Sequence, residues 1–189
     1  NAFKEGGWLP TWASPGYRNC MVGTYADVVI ADAIVKGVQG FDLNTAKDAL
    51  IKDSFTAPPA MAGNAVGKSG LDEYNSRGYL SWKRGQGGYE GVSRTLDFGF
   101  ADFSTSRALN YLAHKWSDHG DLSAKATRLA ARAEGAYNNL FDRSHGLMLP
   151  KDANKDPSNS WRANEWGNGY TEGNAWHHSF PAYAVNSQD

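Results

Sequence analysis

Cysteine occurs once in the 189 residues, at Cys20, so no internal disulfide can form. That lone thiol beside Met21 reads as a small core residue rather than a nucleophile. No apolar run approaches the roughly 18 residues of a membrane span. Neither sign of charge dominates: 19 Lys and Arg oppose 20 Asp and Glu, for a formal net charge of -1. With no block of like charge, nucleic acid and anionic membranes are excluded as main partners. GxSxG, Walker and dinucleotide fingerprints are missing, and "GQGG" at 85–88 has no strand ahead of it. Strand-like alternation, repeats of fixed period and low-complexity tracts are missing too. The chain opens at Asn1 with neither Met nor a signal-type apolar segment, so the expectation is a processed chain or a piece of a longer one.

What is abundant is aromatic. Seven Trp, nine Tyr and eight Phe accompany 21 Gly, and many of the rings fall in Gly-rich connections. Rings in such places either anchor their loops or offer platforms to a ligand. Hydrophobic residues at 41% and charged residues at 21% describe one globular domain with a real core.

Apolar spacing predicts helices. One starts at Val22 and carries Ala26, Val29, Ile30 and Ala33 to a cap at Gly37. Asp42 caps a second, with Leu43, Ala46, Ala49 and Leu50, closed by Pro58-Pro59. A third opens at Ser93 with Leu96, Phe100, Phe103, Tyr111 and Leu112 as its apolar face. Asp121 caps a fourth, whose stripe is Leu122, Ala126, Leu129, Ala133, Ala136 and Leu140. A last helix starts near Glu172 and meets Pro181. The long connections 1–20, 56–91 and 143–171 exceed what a compact domain needs unless they act. Alternating long and short connections fit a helical toroid of stacked hairpins with its long loops at one mouth.

Two clusters carry chemistry. "WRANEWGNGYTEGNAWHH" combines Glu165 and Glu172 with Trp161, Trp166, Tyr170 and Trp176, and with the amides of Asn164, Asn168 and Asn174. Sugars offer apolar C–H faces to rings and hydroxyls to amides and carboxylates. Cleaving a glycosidic bond needs a carboxylic acid to protonate the leaving oxygen and a second carboxylate on the other face. Glu172 equally suits the first turn of a helix, where an acid favours the dipole, and the residue chemistry leaves both readings open. Asp97 and Asp102, in "SRTLDFGFADF", stand about 140° apart around a helix. One line of sight cannot hold both, and exposed acids near a helix start are the simpler reading. No metal site is expected: His177 and His178 point about 100° apart, and His114, His119 and His145 are scattered.

The most specific stretch is the opening, where Trp8, Trp12 and Tyr17 in a Gly/Pro loop run into a helix, with Arg18 near its start. Gly7-Trp-Leu-Pro10, Trp12, Gly16-Tyr17, Met21, Gly23 and Lys36-Gly37 together resemble glycoside hydrolase family 92, the calcium-dependent α-mannosidases. Ser93-Arg-Thr-Leu-Asp97, then Asn139-Leu-Phe-Asp142 with Gly146, Met148 and Pro150-Lys151, and Tyr170-Thr-Glu-Gly-Asn-Ala-Trp176 continue the resemblance in order. Asp97 departs from the family's usual Glu, and His177 from its common Gln.

The resemblance implies an all-α fold, part of an (α/α)6 toroid built of helical hairpins with long aromatic-rich loops. Residues 1–189 would be a fragment of that single catalytic domain, without the family's N-terminal β-sandwich and C-terminal remainder. It implies removal of α-linked mannose from glycans with inversion, Glu172 acting as general acid. Trp176, Asn174, Tyr170, Trp12 and Asp97 would contact substrate. The catalytic base, in the family's "GNDD" segment, and its "GNEP" segment would lie beyond Asp189, so the fragment alone is expected to be inactive. Calcium is implied as cofactor, its principal ligands outside this segment. A mannose-containing glycan and the rest of the parent polypeptide are the implied partners, and a secreted or periplasmic location follows. Another (α/α)6 glycosidase of glucoamylase-like type, or a non-catalytic carbohydrate-binding protein, would use the same aromatic loops.

Overall fold

The computed structural model describes residues 1–19, 23–62, 65–81, 91–117, 120–144, 147–148 and 151. In chain order the elements are α1 (Ala2–Gly6), β1 (Trp12–Ala13), β2 (Tyr17–Arg18), α2 (Tyr25–Val35), α3 (Leu43–Phe55), α4 (Leu71–Arg77), α5 (Gly91–Trp116), α6 (Asp121–Leu140), β3 (Phe141–Asp142) and β4 (Leu147–Met148). A 3-10 turn covers Ala60–Ala62.

The termini of α2 and α3 follow from local chemistry. The Gly37 amide donates to the Ile34 carbonyl and the Val38 amide to that of Ala33, closing α2 as the sequence predicts. Asp42 caps α3, its Oδ1 accepting from the Thr45 amide at 2.6 Å. α6 departs from expectation at its start. Its N-cap is Gly120, and Asp121 is the first helical residue, ion-paired with Lys125 one turn on.

Packing runs in two antiparallel hairpins, α2–α3 and α5–α6. Ala31, Ile34, Ala46, Leu50, Ala108, Leu109, Leu112, Leu122, Ala126 and Leu129 form the main core. Residues near the start of α2 meet those early in α5, and Ile34 shares the core with Leu112. α2 and α5 therefore lie side by side and parallel. Burying each leucine contributes about 1.5–3 kcal/mol.

Two predicted faces are corrected. Val29 is 68% exposed, while Asp27, Ala31 and Ile34 turn inward, so the buried stripe of α2 is rotated from the predicted one. On α5, Phe100 and Phe103 are 50% and 53% exposed, and the buried face is Phe98, Ala101, Thr105, Ala108, Leu109 and Leu112. The reason is the close crossing with α6. A Cβ at Gly99 would lie 3.0 Å from the Ala136 Cβ, so only small side chains fit the seam. The connections also hold structure too short to leave a periodic signal: α1, α4 and two hairpins of two-residue strands, Trp12 opposite Arg18 and Phe141 opposite Met148. The helix expected from Val22 begins instead at Tyr25, because Gly23 at φ +87° breaks it; Cys20 and the last helix lie outside the described residues.

Candidate active site

Because α2 and α5 are parallel, their N-terminal ends meet. Tyr25, the first residue of α2, donates its hydroxyl to Asp97 Oδ1 at 2.7 Å. Burial, then the hydrogen bond and charge of Asp97, push the Tyr25 hydroxyl well above its usual range, so it remains a proton donor. Its ring leans on Phe100 with centroids 6.5 Å apart. Gly23, at φ +87°, allows the approach. A Cβ there would sit 3.0 Å from Asp97 Oδ2 and 2.9 Å from the Tyr25 ring. The result is a carboxylate 9% exposed, oriented by a phenol that is itself half exposed.

The aromatic loop is anchored at the same end. The Thr11 amide donates to the Ala65 carbonyl at 2.9 Å, and Pro10 and Val66 form an isolated β-bridge. The Leu9 amide bonds Asp53, near the end of α3. The Trp8 ring is closely packed. Lys52 Nζ stands 4.5 Å from its centroid, and Gly67 backs it so closely that a Cβ would meet the ring at 2.9 Å. The Tyr17 hydroxyl lies 2.8 and 2.9 Å from the Ala2 and Trp8 carbonyls. Trp12, by contrast, is 46% exposed at the start of its hairpin. Trp8 and Tyr17 hold the loop; Trp12 is displayed by it.

Beneath both lies a buried ion cluster. Lys68 Nζ, wholly inaccessible, lies 3.1 Å from Asp27 Oδ2 and 3.3 Å from Asp102 Oδ1. Arg132 clamps Asp102 through Nε at 2.5 Å and Nη2 at 2.7 Å, and Nη2 also donates to the Ser54 carbonyl at 2.8 Å. Burial opposes the Lys68 charge, yet Asp27 and Asp102 outweigh it and raise its affinity for the proton. Burial pushes the Asp27 carboxyl up, against the pull of Lys68. Asp53 is pushed up to about 8 by burial, with Asp27 adding to the effect.

Of the predicted site residues, Trp12 and Asp97 are described and stand on different elements, the β1–β2 hairpin and the second turn of α5. Glu172, Tyr170, Asn174 and Trp176 lie outside the described residues. The reading of Asp97 and Asp102 as exposed acids is overturned: Asp102 is fully buried between Lys68 and Arg132, and Asp97 is nearly so. The sequence reading missed Tyr25 and Lys68. Tyr25 had one available signal, its place two residues after Gly23 in the first turn of a predicted helix. Lys68, alone in "AVGKSG", had none.

The family profile described as the Glycosyl hydrolase family 92 catalytic domain matches residues 1–184. The chain is similar to a family GH92 inverting mannosidase of Bacteroides thetaiotaomicron, at 31% identity and a TM-score of 0.72, over 88% of this chain and 21% of that one. A GH92 α-mannosidase of the same bacterium, solved also in complex with mannoimidazole, is similar at 27% identity and a TM-score of 0.57, over 77% of this chain and 16% of that one. An uncharacterized secreted glycosidase of Arthroderma benhamiae is 32% identical over 112 residues, 54% of this chain and 14% of the fungal one. The chain thus spans no more than about a fifth of the length of these relatives. The fold is all-α, part of an (α/α)6 toroid.

Proposed function

This chain belongs to glycosyl hydrolase family 92, and from that premise we propose that its parent polypeptide removes α-linked mannose from glycans with inversion at the anomeric carbon. The observation that carries the reading is the likeness to a GH92 inverting mannosidase over 88% of the chain. Residues 1–189 are one section of the toroidal domain, with a β-sandwich upstream and further helices downstream in the parent.

Glu172, within "YTEGNAW", is the general acid. Set among Tyr170, Trp166 and Trp176, its carboxyl would hold a proton near neutrality and release it to the leaving oxygen. The base is supplied by the rest of the parent, about 6.5–9.5 Å away, which leaves room for the attacking water. Tyr170, Asn174 and Trp176 bind the sugar beside Glu172. Trp12 offers an apolar face to the glycan. Asp97, oriented by Tyr25, accepts from sugar hydroxyls. The 2.7 Å bond from the Tyr25 hydroxyl to Oδ1 supports the orienting role of Tyr25.

Calcium takes about 6–8 oxygen ligands. The described residues do not fit it: among them no cluster of His, Cys, Asp and Glu suits a metal, and the buried carboxylates Asp27 and Asp102 are neutralised by Lys68 and Arg132. We place its ligands in the remainder of the parent. Among the described residues no helix is long and apolar enough to cross a membrane. The fungal relative is named as secreted, and we propose a secreted or periplasmic location.

The test is release of free mannose from an α-mannoside by the parent. Turnover of α-glucosides alone, or sugar binding without turnover, would overturn the reading. For the acid, Glu172→Gln should lower the rate on a natural disaccharide by about 10²–10⁴. The loss should be far smaller on an activated aryl mannoside, whose leaving group needs no proton. Equal loss on both, or none, would return Glu172 to a helix-start role.

A further inference from the structure

A lysine with no accessible surface is an unusual way to fill a core. Removing two opposite charges from water costs several kcal/mol per ion, and an apolar pair of the same volume is often as stable. The position of Lys68 in the fold shows what the ions do there besides filling space. Lys68 follows directly on Val66 and Gly67, the residues that meet Pro10 and back the Trp8 ring. Its ammonium faces Asp27 of α2, Asp102 of α5 and, at 3.5 Å, Ser54 of α3. Ser54 follows Asp53, which takes the Leu9 amide. The aromatic loop is therefore gripped on two sides, by residues 65–67 and by Asp53. Both grips are adjacent in sequence to members of the ion cluster. The hairpin that displays Trp12 begins one residue after the last gripped position, Thr11.

We propose that Lys68 is a positioning residue: through Asp27 and Asp102 it locks segment 65–67 onto the helices, and that segment fixes the loop presenting Trp12 to the glycan. The first half stands on the geometry alone. The consequence for substrate rests on the reading that Trp12 contacts the sugar.

The experiment uses the full-length parent with Lys68→Met. It is accompanied by Lys68→Met/Asp27→Asn, which removes one charge of each sign and leaves Asp102 paired with Arg132, in case the single variant fails to fold. Amide exchange should rise at Leu9 and Thr11 while Leu109 and Leu112 stay protected. KM for the mannoside should rise about tenfold with kcat nearly unchanged, the signature of lost uniform binding. Lys68→Arg, which keeps the charge, should restore both readouts in part. Unchanged exchange at Leu9 and Thr11, or a rise at Leu109 and Leu112 of the same size, would overturn the lock. Faster exchange at Leu9 and Thr11 with unchanged KM would uphold the lock and overturn the role of Trp12.

Discussion

Tyr25 and Asp97, 72 positions apart, are joined by a 2.7 Å hydrogen bond in which the phenol donates and the carboxylate accepts. The bond leaves Asp97 Oδ2 beside Gly23. Tyr25→Phe removes the donor and keeps the ring against Phe100. A hydrogen bond to a charged group is worth about 1.5–3 kcal/mol, so kcat/KM of the parent on a mannoside should fall by about tenfold or more. Steady-state kinetics of wild type, Tyr25→Phe and Asp97→Asn check this. Loss with Asp97→Asn but none with Tyr25→Phe would separate the carboxylate from its orienting partner.

Gly23 should tolerate no side chain. At φ +87° an alanine carries backbone strain, and its Cβ meets both Asp97 and the Tyr25 ring. Gly23→Ala should therefore destabilise by about 1–3 kcal/mol and perturb the Tyr25–Asp97 bond together. A thermal melt and the kinetics above report the two effects separately.

The crossing of α5 and α6 has its own test. Gly99→Val forces a branched side chain against Ala136 and should cost about 1–3 kcal/mol. Ala136→Gly in the same chain should recover part of it. Denaturant melts of the single and double variants give the coupling, which vanishes if the two residues do not meet.

Asp53 makes the fold prefer acid. Its folded carboxyl titrates at about 8, against 3.8 as the ordinary value. Between those values the folded chain holds a proton that the unfolded chain has lost. Stability from this group is thus greatest below the lower value and declines until about pH 8, by at most about 1.4 kcal/mol per pH unit. The groups facing it are Asp27 of α2, Lys52 of α3, Lys68 and the Leu9 amide. Lys68 itself, with its proton affinity raised, adds no loss until pH exceeds its ordinary 10.5. Asp53→Asn should flatten the decline between pH 5 and 8 in melts at several pH values. An unchanged slope would contradict the assignment.

Calcium should bind the isolated 189 residues weakly or not at all, since Lys68 and Arg132 already balance the charges of Asp27 and Asp102. Calorimetry showing micromolar affinity would contradict this.

Where the sequence carried periodic apolar residues, the fold was legible. α6 shows its stripe of Leu122, Ala126, Leu129, Ala136 and Leu140, and the Asp42 cap of α3 stands as read. α5 was misread for a physical reason. Beside Phe98, Leu109 and Leu112, its buried side includes Gly99, Ala101, Thr105 and Ala108, which give little hydrophobic signal, while Phe100 and Phe103 on the open side give a strong one. The carboxylates could be seen but not their partners. Nothing near Asp102 in sequence announces Arg132, 30 positions away, or Lys68. At the site, the aromatic loop was visible as composition. The division of labour between Trp8 as anchor and Trp12 as display needed the geometry.

The ion cluster also sets a timetable. Its members are drawn from positions 27, 68, 102 and 132, and Arg132 reaches back 78 residues to the Ser54 carbonyl. During synthesis Asp27 leaves the ribosome about a hundred residues ahead of Arg132, a delay on the order of 5–20 s at ordinary elongation rates. Until then Asp102 lacks its clamp and Lys68 has nowhere dry to settle with its charges balanced. The charges of the cluster are balanced only once both hairpins are present, which ties the two together.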